Sequence, residues 1–218
     1  MAQHRPADIA KIARQIYRSG PPIMRKLQHW RPMICPYHIL VDQVPTGARV
    51  LDVGCGAGLF LGTLAATNRI GGGLGFDSSA PAIEMGNSMT GELPQANDVS
   101  FECLDATRPW PEGAFDLISL IDVMHHVPPA AQRGVFAKAA ARTAPGKWFL
   151  YKDMARRPFW RATANRLHDL VVAREWINYV DLQDILSWGT EEGLTVHARQ
   201  EIDMLWYRHE LILFRRPQ

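Results

Sequence analysis

The feature that most constrains this chain is a short apolar strand that runs directly into three alternate glycines. The strand residues Val50–Val53 are followed by Gly54, Gly56 and Gly58. Glycine lets the backbone approach a ligand closely because no Cβ intervenes, so a glycine-rich turn from a strand into a helix is typical of a binding loop. The spacing differs from the GxGxxG pattern of dinucleotide-binding proteins, and the carboxylate of Asp52 would repel a pyrophosphate. The loop therefore favours a ligand that carries a cationic group.

Two more acidic residues stand at the ends of predicted strands. Asp77 follows Gly58 by about 20 residues, where an acid commonly accepts hydrogen bonds from ribose hydroxyls. Asp105 closes the third predicted strand, at the carboxyl edge where open parallel sheets bind their ligands. Together with Asp52, these acids predict a nucleoside that also carries the ammonium group of an amino acid.

Strands and helices alternate over most of the chain, which predicts βαβ units and a mostly parallel, doubly wound sheet. The predicted strands are residues 49–53, 73–76, 99–104, 115–121, 148–151, 194–199 and 209–214. The predicted helices are residues 9–17, 59–66, 80–89, 129–142 and 181–188. Asp8 is predicted as the N-cap of the first helix, and the stretch 23–44 as a less regular segment.

In combination these motifs resemble the class I S-adenosylmethionine-dependent methyltransferases. The resemblance covers about residues 49–148, and it includes Asp122–Pro128 directly after the fourth strand. It implies an α/β Rossmann-like fold with an antiparallel C-terminal hairpin strand. It also implies S-adenosylmethionine as the cofactor and S-adenosylhomocysteine as the product.

The resemblance implies cofactor-binding roles for residues at four strand ends. These residues are Asp52, Gly54, Cys55, Gly56, Gly58, Asp77, Ser78, Asp105, Ala106, Ile121 and Asp122. The glycine loop would hold the methionine part, Asp77 the ribose, and Asp105 with Ala106 the adenine. Asp105 could instead simply be the N-cap of a helix. Cys55 has no basic neighbour that would activate its thiol, so a packing role is expected for it.

We expect one domain with four parts, because 218 residues is an ordinary length for a single domain. Residues 1–44 are predicted as an N-terminal helical cap and residues 45–152 as the cofactor-binding core. Residues 153–180 interrupt the alternation as a cap insertion, and residues 181–218 supply the last helix and the edge strands.

A catalytic base is needed when the methyl acceptor is protonated, as a hydroxyl is near neutral pH. His125 and His126 follow the fourth strand, and adjacent helical residues diverge by about 100°, so at most one of them should face the acceptor. His168 in the insertion is a third candidate, and local packing explains all three histidines equally well. None of the eight histidines has the spacing of a metal ligand pair or of a histidine–acid cluster, so no metal is predicted.

Aromatic residues concentrate in residues 1–44 and 153–180, the two segments that would form a lid. The predicted substrate-binding residues are Tyr17, Trp30, Tyr37, Lys152, Asn165 and Trp176. We expect a small apolar or aromatic metabolite of natural-product, quinone or lipid type as the substrate, either free or bound to a carrier. O-methylation is expected in preference to N- or C-methylation. Packing of the lid onto the sheet explains any single aromatic ring equally well.

The net charge of +2 conceals a gradient along the chain. Residues 1–49 carry eight Lys and Arg against two Asp and Glu, whereas residues 50–150 carry six against ten. The basic arm could steer an acidic substrate, an acyl carrier protein or an anionic membrane surface, or it could be a solvated face. No nucleic-acid partner is expected, because no RNA-binding module is visible.

The three cysteines have no CxxC spacing, and no apolar run approaches the length of a membrane span. No signal peptide is recognisable, so a cytoplasmic protein with reduced thiols is expected. Two other functions stay open. The first is a nicotinamide-dependent oxidoreductase, which Asp52 and the loop spacing disfavour. The second is a partner subunit that binds the cofactor without catalysis.

Overall fold

The computed structural model describes residues 4–93, 98–155 and 178–218. Its centre is one seven-stranded sheet with the strand order β3-β2-β1-β4-β5-β7-β6. The strands are β1 Ala48–Val53, β2 Ile70–Asp77, β3 Asp98–Cys103, β4 Leu117–Ile121, β5 Trp148–Met154, β6 Thr195–Met204 and β7 Tyr207–Arg215. The chain divides into two compact units, Met1–Ile118 and Ser119–Gln218. Within the described ranges, no helix has the length and apolar character needed to cross a bilayer.

The first unit holds β1, β2 and β3 as neighbouring parallel strands. Its helices are α1 Pro6–Ile16, α2 Pro22–Trp30, α3 Tyr37–Gln43, α4 Leu59–Ala66 and α5 Ala80–Thr90. β2 is rich in glycine because the neighbouring layer comes very close. A Cβ on Gly73 would lie 2.7 Å from a methyl carbon of Leu61 on α4. Pairing on both edges nevertheless makes β2 longer than the four residues predicted.

The second unit holds α6 Pro129–Arg142, β5, α7 Leu182–Glu191 and the antiparallel hairpin of β6 and β7. β7 pairs antiparallel with β5. An aromatic core forms between the sheet and α6. The ring of Phe136 lies 5.2 Å from Phe149 and 6.0 Å from Phe214, measured between ring centroids. The predicted antiparallel ending of the sheet is thereby confirmed.

Several local predictions are confirmed and others are wrong. The helices at 59–66 and 129–142 have the predicted bounds. Asp8 is not the N-cap of α1. Arg5 holds that position, and the Asp8 carboxylate accepts its backbone N–H at 2.9 Å. The stretch 23–44 is not irregular, since it contains most of α2, all of α3 and a 3₁₀ turn, Arg31–Met33. β5 does not end at residue 151 as predicted but continues through Lys152 and Asp153, because pairing with β7 extends to Met154.

Candidate functional site

The glycine loop, residues 54–58, has a backbone that requires glycine at alternate positions. The φ angles of Gly54, Gly56 and Gly58 are 67°, 56° and 80°, in the left-handed region that other residues rarely adopt. Gly58 is also the N-cap of α4, and a Cβ there would overlap the ring of Phe101 on β3. The sequence forms this loop for two local reasons, the dihedral angles and the close approach of β3.

A side chain from the N-terminal segment, Tyr17, forms a hydrogen bond with the glycine loop. The Tyr17 hydroxyl donates to the carbonyl of Ala57 at 2.6 Å, and the side chain is buried. Burial, followed by the nearby Cys55 side chain, holds the pKa of Tyr17 well above its usual value. The Tyr17 side chain therefore stays a neutral phenol, and its O–H donates a hydrogen bond to the loop. Sequence reasoning assigned Tyr17 to the substrate, and it had no means of detecting this contact.

The acids at the strand ends have different surroundings. Asp52 is buried in β1 opposite Gly75. The Asp77 carboxylate accepts the backbone N–H of Gly56 at 2.9 Å and that of Ser79 at 2.8 Å, so it ties the glycine loop to the start of α5. Ser78, between Asp77 and Ser79, is exposed. Each carboxylate oxygen has two lone pairs, so Asp77 retains acceptor capacity for a ligand.

Asp105 caps a local turn and is not a helix N-cap, because no helix begins in the described residues between β3 and β4. Its Oδ1 accepts the backbone N–H and the hydroxyl of Thr107, both at 2.7 Å. The carbonyl of Ala106 accepts the indole N–H of Trp110 at 2.8 Å, and Trp110 packs on Phe76. The turn is therefore rigidly placed after β3, and the adenine roles of Asp105 and Ala106 stay predictions.

Cys55 has the environment of an unreactive thiol. Burial, and then the charges of Asp52 and Asp77, raise the pKa of Cys55 well above its usual value. A thiol that stays protonated is a poor nucleophile. This agrees with the packing role expected from the sequence.

Arg31 is a residue that sequence reasoning missed as part of this site. Its Nη1 lies 3.7 Å from the point where a Cβ on Gly56 would stand. The 3₁₀ turn that begins at Arg31 places the guanidinium there. No local motif could reveal this, because Arg31 precedes the loop by more than 20 residues and is one of several arginines in the basic arm.

The predicted aromatic substrate residues divide into buried and exposed ones. Tyr37 is buried and packs on Phe60 of α4, with 6.4 Å between ring centroids. Trp30 is 54% exposed, and it shares a face of α2 with Ile23 and Leu27, which are also exposed. These three residues form the α2 stripe. Asn165, Trp176 and His168 lie outside the described residues.

In the second unit, His125 lies in a 3₁₀ turn after β4, Met124–His126, and its side chain is buried. Its Nδ1 is hydrogen-bonded to Oδ1 of Asp153 on β5, and its backbone N–H donates to Oδ2 of the same carboxylate at 3.3 Å. Burial lowers the pKa of His125, but the charge and hydrogen bond of Asp153 outweigh it, so the pKa is raised overall. His126 is exposed, and its ring lies 4.1 Å from that of His125, measured between ring centroids. Which of the two faces the acceptor stays a prediction.

The turn that carries His125 is fixed by two residues from elsewhere in the unit. The Gln132 side chain on α6 donates to the carbonyls of Met124 at 2.9 Å and Asn178 at 2.8 Å. The Asn178 backbone N–H in turn donates to the carbonyl of His125 at 2.9 Å. The imidazole is therefore held in one place by backbone as well as side-chain bonds.

A second ion pair stands beside the first. Lys152 is fully buried, and its ammonium donates to Oδ1 of Asp122 at 2.5 Å. Asp122 has a φ of 57°, and its backbone N–H donates to the carbonyl of Lys152 at 2.9 Å. We call Asp122, His125, Lys152 and Asp153 the histidine cluster. Lys152 was assigned to the substrate, but the structure gives it this buried pair.

The expectation that no histidine belongs to a histidine–acid cluster is wrong. Polar atoms of Asp122, His125 and Asp153 lie within 4.8 Å of one another. Sequence spacing could not show this, because Asp153 comes from a different strand. Lys152 supplies a positive charge at this place, and the absence of a metal stays a prediction.

Comparisons with known proteins identify the family of this chain. A family model described as a methyltransferase domain matches residues 25–199. The chain therefore belongs to the methyltransferase domain family, and its resemblance to the class I enzymes is confirmed.

Two curated relatives carry the same printed name. A ubiquinone biosynthesis O-methyltransferase of Albidiferax ferrireducens is 27% identical over 157 residues, which cover 71% of this chain and 56% of that protein. One of Thiobacillus denitrificans is 30% identical over 116 residues, which cover 50% of this chain and 46% of that protein. The chain thus spans about half the length of the curated relatives it matches.

Solved structures show the same fold at low identity. A putative methyltransferase of Haloferax volcanii, in complex with the Trm112 methyltransferase activator, has a TM-score of 0.70 and 17% identity, and the match covers 97% of this chain and 98% of that one. Magnesium protoporphyrin IX methyltransferase of Synechocystis, with bound S-adenosylhomocysteine, has a TM-score of 0.67 and 18% identity over 94% and 93% of the two chains.

Proposed function

We propose that this methyltransferase acts on the hydroxyl group of a small apolar or aromatic acceptor, and that His125 is the base. The observation that carries the proposal is the buried hydrogen bond between His125 and Asp153. A histidine oriented by a carboxylate is a common solution for taking a proton from a hydroxyl near neutral pH. Transfer to an amine that is already neutral would not need such a pair.

The residues of the first unit fit S-adenosylmethionine. The left-handed glycines leave the loop backbone without side chains at three positions. Arg31 lies beside Gly56, and Asp52 is close enough to Cys55 to raise its pKa, so the two residues offer opposite charges at the loop. We assign Asp52 to the ammonium and Arg31 to the carboxylate of the methionine part, and Asp77 to the ribose. When bound, the cofactor supplies a methyl group on an electrophilic sulfonium. The chain's contribution is to align it, since in-line displacement depends mainly on proximity and orientation.

The protonation of His125 follows from its partner. Donation from Nδ1–H to Asp153 assigns the lone pair of the neutral imidazole to Nε2. As the acceptor oxygen gains the methyl group, its proton passes to Nε2. The Asp153 carboxylate stabilises the imidazolium that results. Gln132 and Asn178 keep the ring from turning while this happens.

Two observations support an apolar acceptor. The α2 stripe exposes Ile23, Leu27 and Trp30 on one helix face, and large apolar side chains exposed together commonly mark a binding surface. The relatives named for ubiquinone biosynthesis are consistent with a phenolic or quinol acceptor that has an apolar tail. We therefore propose that Trp30 contacts this tail, whether the acceptor is free, lipid-like or carrier-bound.

The test is methyl transfer from isotopically labelled S-adenosylmethionine to a panel of catechols, phenols and matched anilines with and without alkyl tails. Mass spectrometry should show O-methyl ethers, with preference for the tailed phenols. His125→Gln should lower kcat by at least a hundredfold, on the order of the contribution of a general base, while calorimetry shows unchanged binding of S-adenosylhomocysteine.

His126→Gln is the matched control, because it removes an exposed imidazole from the adjacent position. It should keep kcat within about threefold of wild type, well inside the contribution of a base. Methylated anilines as the main product would overturn the O-methyltransferase proposal. Equal losses in both histidine variants would overturn the role of His125. Cofactor binding without any transfer would favour a subunit without catalysis.

A further inference from the structure

Three carboxylates stand directly opposite one another on the three terminal strands of the sheet. Asp153 on β5 pairs with Glu210 on β7, and Glu210 pairs with Glu201 on β6. Side chains in directly opposed positions share a face of the sheet, with Cβ atoms about 5 Å apart, and like charges there are destabilising. The register therefore predicts that this row does not carry three full negative charges.

The two ends of the row have cationic partners. Asp153 is bonded to His125, and Glu201 forms ion pairs with Arg208 at 2.5 Å and Arg199 at 3.4 Å. Glu210 lies between these two pairs. Its place in the middle makes it the member that is most easily neutralised by a proton.

The charges that face Glu210 from the described elements are mostly negative. They are Glu201 and Arg199 from β6, Asp153 from β5 and Asp181 at the start of α7. Tyr151, a buried phenol, lies two residues before Asp153 on the same face of β5. Burial first, and then these carboxylates, raise the pKa of Glu210 to about 7. Glu210 is thus poised to exchange a proton near neutral pH.

We propose that Glu210 is a positioning residue that controls the protonation of His125 through Asp153. The proposal rests on the function proposed above, in which neutral His125 is the base. With its proton bound, Glu210 is neutral and adds nothing to the charges of Asp153, Asp122 and Lys152 that act on the imidazole. When Glu210 ionises, the added negative charge favours the imidazolium, which cannot accept a proton. The proton on Glu210 therefore keeps His125 competent at the pH where it must act.

The free protein provides a test that does not depend on activity. Histidine labelled with ¹⁵N and ¹³C can be titrated by NMR, with the His125 signals identified by their loss in His125→Gln. In Glu210→Gln the His125 titration should move to lower pH, by about one pH unit for a neighbouring charge in a partly buried place. The curve should also narrow, because coupled groups titrate over a wider range than isolated ones.

Glu201→Gln is the matched control, since it removes a carboxylate from the same row whose charge Arg208 and Arg199 already offset. It should leave the His125 titration in place. Glu210→Asp keeps a carboxyl group and should restore the wild-type titration. Glu210→Met removes the same charge at similar length, and it replaces Glu210→Gln if that variant does not fold. An unmoved His125 titration in the folded neutral variant would overturn the proposal.

The pH profile of kcat/KM separates this inference from the proposed function. Its acid limb should move to lower pH in Glu210→Gln together with the NMR titration. A moved titration with an unmoved activity profile would uphold the coupling of Glu210 to His125, and it would overturn the assignment of His125 as the base.

Discussion

The glycine loop and the histidine cluster are built in opposite ways. The loop consists of consecutive residues whose backbone angles already require glycine at 54, 56 and 58. The cluster draws Asp122 and His125 from the residues after β4, and Lys152 and Asp153 from β5. Its support comes from still other segments, through Gln132 and Asn178.

This difference determines how each region should respond to substitution. In the loop the side chains matter little and the backbone shape matters most, so any added Cβ is damaging. In the cluster the charges are paired, so removing one partner leaves another charge buried without its counterpart. The first region should fail by distortion, and the second by changes in protonation.

Gly58→Ala should have the largest effect on the loop. The left-handed φ and the overlap with Phe101 together should lower the free energy of unfolding by about 3 kcal/mol. Affinity for S-adenosylhomocysteine should fall at least about a hundredfold, equivalent to roughly 3 kcal/mol. Urea denaturation and calorimetry measure the two quantities.

Gly134→Ala is the control for the loop substitution, because nothing lies within 4 Å of a Cβ at this exposed position of α6. It should leave affinity unchanged and should stabilise the helix by up to about 1 kcal/mol. Equal losses in the two variants would show that the loop is not special in its need for glycine.

Arg31→Gln tests whether the loop also depends on a distant side chain. Arg31 is assigned to the carboxylate of the cofactor's amino-acid part. Loss of this charge-assisted hydrogen bond should weaken S-adenosylhomocysteine binding roughly tenfold to a hundredfold. Arg25→Gln is the control, because that guanidinium donates to the carbonyl of Arg18 at 2.9 Å instead. Calorimetry should show no change for it. If Arg31→Gln binds as tightly as wild type, the carboxylate has another partner.

Glu210→Gln tests the second region through stability. The pKa of Glu210 is raised to about 7 in the folded protein, from an unfolded value near 4.5. The contribution of protonated Glu210 to the free energy of unfolding is therefore complete below pH 4.5, and it is lost as the pH rises through 7. After allowance for partial exposure, the variant should be more stable than wild type by about 1 kcal/mol at pH 8. The gain should shrink towards pH 5. Urea denaturation at both pH values measures it, and a gain that grows towards acid would contradict the sign.

Tyr17→Phe should have the smallest effect of the four. It removes one buried hydrogen bond to the Ala57 carbonyl, worth about 1 kcal/mol. The loop should remain formed, with S-adenosylhomocysteine affinity reduced by about fivefold, in keeping with that energy. Calorimetry that shows no loss would mean that the glycines alone maintain the loop.

The sequence predicted most of the sheet and the place of the glycine loop, because both follow from local patterns. It failed where pairing between strands decides the outcome. β2 is longer than the strand predicted at 73–76, where glycines interrupt the apolar pattern. β5 continues through Lys152 and Asp153 because β7 pairs with them. It also failed for 23–44, where two short helices flank a 3₁₀ turn, and for Asp8, where Arg5 is the cap.

The sequence by itself determined the α/β class, the methyltransferase family and the glycine loop, since backbone dihedrals and hydrophobic periodicity are properties of neighbouring residues. It also supplied two adjacent histidines without distinguishing them. Only the tertiary structure decided that His125 is the buried one, because its partner Asp153 lies on another strand. The same holds for Arg31 beside Gly56 and for Glu210 beside Asp153. Their proximity arises from pairing and packing over long sequence distances, which no local pattern encodes.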